Sequence, residues 1–328
     1  MRKILSVIGT RPQLLKIDPT LADVIVNTGQ HYDNELWGQH LKESKIKPKY
    51  NLGLDSDHIV EMIDKIRPII RKEQPDIVVV YGDTYSTVAG TLAAAWEGIQ
   101  VAHIEAGLRS GDMTMPEEIN RVIADRLSTY KFCPTHTAIM NLRNEGLGDN
   151  TFHVGDPLLQ NLKNFLPMKK RKDYGTFILA SIHRQENLNK DNLQEILSGL
   201  EKYGGKVLFP IHPHTHRIIK KFRLKVPRNV ELSKPFTRAK TLDRIFNSKF
   251  VVTDSGGLQR EAYWMLRHVY IIRTATEWPE IIERGWGTLL PANAVRIAEE
   301  LAQERKHYNA PELLAVNPHK EIRRVLKG

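Results

Sequence analysis

The chain has 328 residues, enough for two domains of ordinary size, each with its own core. Hydrophobic residues make up 41% and charged residues 26%, the balance of a water-soluble globular protein, and no apolar run reaches membrane-spanning length. The single cysteine, Cys133, excludes an internal disulfide and a cysteine-based metal cage, while the formal charge of +10 raises the question of an anionic partner. The start, Met1-Arg2-Lys3, passes through Ile4–Ile8 directly into Gly9-Thr10-Arg11-Pro12, too short an apolar stretch for a signal peptide. With the lone thiol, this predicts a cytoplasmic protein.

Lys3–Ile8 reads as a buried strand that stops at the Gly9 turn. Arg11 and Lys16, the latter placed at the start of a short helix, can hold an anion there, helped by the helix N-terminus. Val24–Val26 is a second strand leading into Thr28-Gly29-Gln30-His31. The helix between these strands has room for barely two turns, small for a βαβ unit. His58–Glu73 reads as a helix with apolar positions at Val60, Ile63, Ile66 and Ile70, stopped by Pro75.

Next come a strand, Asp76–Tyr81, followed by Asp83, a small-residue helix through Ala93–Ala95, and a strand over 101–105 that ends in Glu105. A helix beginning near Pro116 carries Glu117 in its first turn. The carboxyl ends of neighbouring strands in a parallel α/β sheet open onto one crevice. Three acids there point to proton transfer, because mutual repulsion and burial raise carboxylate pKa values toward neutrality. Taken singly, each is equally an ordinary cap or turn residue. A strand through Phe132, a helix around Ala138–Asn144 and a strand Phe152–Val154 complete the first half.

Lys163–Pro167, followed by Met168–Lys172, breaks the rhythm with a proline and a charge run and marks a linker. Alternation resumes with strand Thr176–Ser181, helix Leu193–Tyr203, strand Val207–Phe209, a helix around Ile218–Phe222 and strand Val230–Leu232. Helix Thr241–Asn247, strand Phe250–Val252, helix Gly257–Leu266, strand Val269–Ile272 and several C-terminal helices follow. The fold class is therefore α/β, with two doubly wound lobes and a cleft between them, a common place for ligands.

In the second half, His183 lies at a strand end beside Arg184, where a histidine can carry protons, although most histidines do not. Ser255-Gly256-Gly257 opens a helix, and its free N–H groups suit phosphate; the same triplet is also a common cap. Glu261, about two turns on, can reach sugar hydroxyls or be a plain surface acid. His212, His214 and His216 alternate in a strand-end loop without cysteine, so no zinc site is expected. The densest basic runs, Lys169–Lys172 and Arg217–Arg228, lack interleaved stacking aromatics. They are read as solvated faces that help draw in a small phosphorylated ligand, ahead of any nucleic acid.

In order along the chain, GTRP at 9–12, TGQH at 28–31, GDTYST at 82–87, HIEAGLRSGD at 103–112, PEEINR at 116–121, VGDP at 154–157, HRQEN at 183–187 and TDSGGLQREA at 253–262 resemble the non-hydrolysing UDP-N-acetylglucosamine 2-epimerases. That resemblance implies a GT-B-like arrangement of two Rossmann-like lobes. The first would be residues 1–165, joined by a C-terminal helix at 314–328 that packs back near Lys320–Leu326, and the second, UDP-binding lobe 166–313. It implies Asp83, Glu105, Glu117 and His183 as the catalytic set. Arg11, Lys16, Ser255, Gly256, Gly257 and Glu261 would hold the UDP portion. It further implies a UDP-sugar substrate, no metal or redox cofactor, a homodimer and no membrane insertion.

The implied chemistry suits these residues. The sugar C2 proton has no neighbouring carbonyl, so its direct abstraction is difficult. Departure of UDP from C1 creates an oxocarbenium-like centre and acidifies that proton. Protonation of the resulting 2-acetamidoglucal on the other face, with UDP re-added, inverts C2. The chain also departs from the family pattern. Gln13 replaces the usual Glu after GTRP, Trp278 replaces an arginine near the substrate, with Arg273 as a partial substitute, and Arg238 and Thr241 stand where aromatics are common. These departures keep other readings open: an epimerase for another UDP-2-acetamido sugar such as a diacetamido uronic acid, a hydrolysing variant, a GT-B glycosyltransferase, or a non-catalytic nucleotide-sugar binder.

Overall fold

The computed structural model describes residues 2–30, 46–54, 58–162, 175–303 and 317–328. The sequence-predicted linker Lys163–Lys172, with its basic run, and His31 of the TGQH segment lie outside the described residues. The chain divides into two compact units, Met1–Asn161 with Leu314–Gly328, and Leu162–Leu313.

In the first unit, strands β1 (Ile4–Ile8), β2 (Val24–Asn27), β3 (Tyr50–Asn51), β4 (Ile77–Tyr81), β5 (Gln100–Ile104), β6 (Tyr130–Cys133) and β7 (Thr151–His153) form one parallel sheet. Their order is β3-β2-β1-β4-β5-β6-β7. Strands β1, β2 and β4 are buried along their whole length because both faces of the sheet are covered there. Leu5, Val7, Val78 and Val80 face one core with Met62, Ile66, Ala89 and Ala93 of helices α2 (Ile59–Glu73) and α3 (Tyr85–Trp96), which follow the short α1 (Arg11–Leu14). Ile4, Ile8, Ile77 and Val79 face the other, where the C-terminal helix Pro318–Lys327 buries Ile322 and Leu326. The unit also contains α4 (Pro116–Leu127), α5 (His136–Asn144) and α6 (Pro157–Leu162).

The second unit repeats the plan. Strands β8 (Phe177–Ser181), β9 (Lys206–Pro210), β10 (Val230–Ser233), β11 (Val251–Thr253), β12 (Val269–Ile272) and β13 (Gly287–Leu290) lie in the order β10-β9-β8-β11-β12-β13, all parallel. Helices α7 (Lys190–Tyr203), α8 (Pro213–Phe222), α9 (Arg238–Asn247), α10 (Gly256–Trp264), α11 (Pro279–Glu283) and α12 (Ala294–Ala302) flank it. In each sheet the strand order runs outward from its first strand and then reverses. The switch points fall between β1 and β4, and between β8 and β11, where such folds bind ligands.

Four local readings change. Helix α1 is a single turn of 4 residues, and Lys16 lies just beyond it rather than at its start. Strand β5 stops at Ile104, so Glu105 belongs to the turn. Strand β13 occupies a stretch read as helical; at 4 residues its apolar run is too short for periodicity to distinguish the two. Helix α8 begins at Pro213, so His214 and His216 sit on a helix and His212 is its N-cap, not part of a loop. Among the described residues, no helix is long and apolar enough to cross a membrane.

Candidate active site

At the first switch point, β1 ends in a turn held by a side chain for which the sequence reading had no role. Gln13, almost wholly buried, accepts the N–H groups of Gly9 and Thr10 at 2.8 and 3.1 Å through Oε1. Its Nε2 donates to the Tyr81 carbonyl at 2.9 Å and to Thr84 Oγ1 at 2.8 Å, stitching the turn after β1 to the turn after β4. A carboxylate has no N–H with which to make that second set of bonds. Arg11, half-buried, opens the helical turn.

Lys16 follows that turn and extends its Nζ to within 2.7 Å of Glu105 Oε2, with 5% and 6% of the two side chains exposed. Its backbone is anchored from behind, where His319 Nε2 on the C-terminal helix lies 3.3 Å from the Lys16 carbonyl. Glu105 has φ 74°, a left-handed conformation that costs a residue with a Cβ about 1–3 kcal/mol and clusters at functional sites. A Cβ on Gly82 would stand 3.2 Å from Lys16 Nζ and 3.7 Å from Glu105 Oε1, so glycine there leaves the ion pair its space. Buried ion pairs are often no more stabilising than well-packed apolar side chains. One built onto a strained turn at a switch point therefore reads as functional.

Asp83, next to Gly82, pairs with Arg121 on α4, and Arg121 also pairs with Glu118. Asn120 Nδ2 donates to the Asp83 carbonyl at 2.9 Å. Glu118 accepts the Ser110 and Gly111 N–H groups at 3.0 Å. Burial pushes its carboxyl up, but those N–H groups and the Arg121 guanidinium hold it below the usual carboxylate range. Glu117 is half-buried in the first turn of the same helix, at the i, i+3 and i, i+4 spacing that shares a face with Asn120 and Arg121. Arg121 and Glu118 escaped the sequence reading. The available signal was their i, i+3 spacing within PEEINR.

In the second unit, His183 follows β8 and Asp254 follows β11, on the two sides of the switch point. Asp254, fully buried, accepts backbone N–H groups from His183 at 3.1 Å and Arg184 at 2.9 Å, and Asn187 Nδ2 at 3.0 Å. His183 Nδ1 lies 3.5 Å from Asp254 Oδ1, its ring partly exposed. Asp254 thus fixes the loop that carries His183, a role hidden in sequence because its partners are about 70 residues away.

Ser255 caps α10, accepting the Leu258 N–H at 3.4 Å. Gly256 faces the Glu277 carboxylate so closely that a Cβ would run into Glu277 Oε1, whereas Gly257 opens onto free space. Glu277 is held by Arg273 at 2.8 Å. Glu261 is buried and paired with Arg238, so it is not the surface acid of the plainer reading. Trp278 is buried with the Arg260 guanidinium 4.2 Å from its ring centroid, a cation–π contact. Within the first unit, Lys16 with Glu105 and Asp83 with Arg121 thus meet at one switch point. Within the second, His183, Ser255, Gly256 and Gly257 gather at the other, while Glu261 and Arg273 each hold a buried partner. Among the described residues, no group of three or more His, Cys, Asp or Glu side chains has the geometry to hold a metal ion.

Comparison with known proteins identifies the family. The family model described as UDP-N-acetylglucosamine 2-epimerase matches residues 13–320. A UDP-N-acetylglucosamine 2-epimerase homolog of Methanococcus maripaludis is 39% identical over 92% of this chain and 92% of its own length. The UDP-2,3-diacetamido-2,3-dideoxy-D-glucuronate 2-epimerase of Pseudomonas aeruginosa is 37% identical over 90% of each chain. The crystal structure of the Methanocaldococcus jannaschii UDP-GlcNAc 2-epimerase, in complex with UDP-GlcNAc and UDP, superposes with a TM-score of 0.87 at 34% identity, covering 99% of this chain and 100% of that one. The two-unit, GT-B-like α/β architecture is shared with these enzymes, and the chain belongs to the UDP-N-acetylglucosamine 2-epimerase family.

Proposed function

We propose that this protein is a non-hydrolysing epimerase that interconverts UDP-N-acetylglucosamine and UDP-N-acetylmannosamine. The observation that carries the reading is the buried Lys16–Glu105 pair beside Gly82-Asp83, an acid–base group set on a strained turn at a switch point. In this reading the C1–O bond breaks and both its electrons leave with the β-phosphate of UDP. The Gly256 and Gly257 N–H groups at the start of α10 and the Ser255 hydroxyl, together with Arg11 and Lys16, stabilise that departing diphosphate. Glu261 and Arg273 line the nucleotide-sugar site. Asp83, Glu105 and Glu117 stabilise the positive charge at C1 and, with His183, exchange the C2 proton, so that a C1=C2 double bond forms as the proton leaves. Returning a proton to the opposite face and re-forming the C1–O bond with UDP gives the epimer.

A second substrate, a UDP-2-acetamido uronic acid, is favoured by one observation, the 37% identity to the UDP-2,3-diacetamido-2,3-dideoxy-D-glucuronate 2-epimerase of Pseudomonas aeruginosa. A homodimer and a cytoplasmic location belong to the same reading, and light scattering at twice the chain mass would bear out the first.

Incubation with UDP-N-acetylglucosamine in deuterated water tests the proposal. Deuterium at C2 in both gluco and manno nucleotide sugars is the expected result. Free N-acetylmannosamine and UDP would mark a hydrolase. No exchange with any UDP-2-acetamido sugar, in folded protein, refutes the reading.

A further inference from the structure

Beneath the acids of the first unit lies a buried polar pair that the catalytic scheme does not use. His103, on β5, and Asp125, on α4, are both completely buried. The two nitrogens of the His103 ring face oxygens: Nε2 is 2.7 Å from the Gly82 carbonyl, and Nδ1 is 2.7 Å from Asp125 Oδ1. The other Asp125 oxygen accepts the Gly107 N–H at 3.1 Å and Arg109 Nη1 at 2.7 Å. Arg109 is itself clamped by both oxygens of Glu145 at 2.7 Å. Burial alone would push the Asp125 carboxyl up, yet the adjoining His103 and Arg109 hold it below the usual range.

The atoms this pair grips are informative. Gly82 immediately precedes Asp83 and has φ 65°, while Gly107 lies two residues after Glu105 and has φ 81°. A Cβ on Gly107 would strike the Ala138 carbonyl, so only glycine fits at this point of the turn. His103 therefore ties the turn that carries Asp83, through Asp125, to the turn that carries the left-handed Glu105. We propose that His103 and Asp125 are positioning residues that set the spacing of Asp83 and Glu105 for proton transfer. This rests on the epimerase reading above. Acid–base groups misplaced by about 1 Å lose on the order of 100-fold in rate, and such losses fall on turnover more than on binding.

Two substitutions separate the two ends of the ring. His103→Asn keeps a donor near Nδ1 for Asp125 but loses the Gly82 bond; His103→Gln keeps a donor near Nε2 for Gly82 but loses the Asp125 bond. We expect H103N to lower kcat about 10- to 100-fold with KM for UDP-N-acetylglucosamine within about threefold, and H103Q to recover part of that loss. Amide hydrogen exchange followed by mass spectrometry supplies a readout free of substrate. Exchange should rise at residues 82–84 and 105–108 in H103N while the rest of the sheet stays protected. Unchanged kcat and unchanged local exchange in folded variants would overturn the proposal, as would a loss of activity matched by the loss of folded protein. If H103N does not fold, Asp125→Asn is read by the same exchange measurement. If the wild type epimerises no UDP-sugar, the functional reading fails and the exchange pattern alone decides whether the brace exists.

Discussion

Lys16 Nζ and Glu105 Oε2 lie 2.7 Å apart, both buried, although the two residues come from turns after different strands of one sheet. Each neutralises a charge that the other would leave stranded out of water. Lys16→Met should therefore destabilise the protein by about 3–5 kcal/mol, because an unpaired buried carboxylate costs that much. The double variant K16M/E105Q, with both charges gone, should recover most of that stability and none of the epimerisation. Denaturant unfolding of the two single variants and the double variant measures the coupling, and additive losses would deny the pair.

Asp83 and Glu117 are expected to serve chemistry, whereas Glu118 serves architecture. Asp83→Asn and Glu117→Gln should each cut kcat by about 10²–10⁴. UDP affinity, measured by calorimetry, should stay within about threefold in both. Glu118→Gln removes the charge that faces Arg121 and the Ser110 and Gly111 N–H groups, and should cost about 1–3 kcal/mol of stability. Equal losses of binding and turnover in D83N would class that acid as structural.

Gly256 and Gly257 are adjacent but not equivalent. A methyl group at 256 displaces Glu277, which Arg273 holds, while one at 257 meets nothing closer than Ser255 Oγ at 4.0 Å. Gly256→Ala should lower both thermal stability and UDP affinity. Gly257→Ala should leave stability within about 0.5 kcal/mol, yet weaken UDP binding about tenfold where a phosphate closes on the helix N–H groups. Full UDP affinity in G257A would remove the phosphate from that position.

Acid stability should depend on Glu73. Lys49, then Tyr50 and Lys3, hold its carboxyl down at about 2. The ordinary value is about 4.3, so the folded state binds this proton less readily than the unfolded chain. The ion cluster therefore stabilises the fold fully above that ordinary value, and its contribution disappears as the pH falls toward about 2. Glu73→Gln should flatten the fall of Tm across that window, and a Tm profile parallel to that of the wild type would contradict it.

The α/β class, the alternation of strand and helix and the placement of acids at strand ends were legible in the sequence. Each is local: apolar runs bounded by turn residues signal strands, and a proline at a helix start signals a first turn. Short pieces were lost for the same reason, since β3 with 2 residues and β13 with 4 carry too little pattern. The sequence does not show that α1 stops after one turn, so it gives no sign that Lys16 lies beyond the helix.

The candidate acids themselves, Asp83, Glu105 and Glu117, could be named from the chain alone: the first two follow strands whose ends in a parallel sheet face one side by construction, and the third sits in a helix's first turn. What each touches could not be named. Glu105 meets Lys16, Asp83 meets Arg121, the His183 N–H rests on Asp254 and His103 meets Asp125, partners that stand 89, 38, 71 and 22 positions apart in the chain. Such contacts follow from strand order and from the register of one strand against the next. The reversal of that order at β1/β4 and β8/β11 is a property of the assembled sheet. The sequence determined which groups were available; tertiary packing decided which of them share a proton or a charge, because buried ionic groups take their partners from whatever the fold brings within about 3 Å.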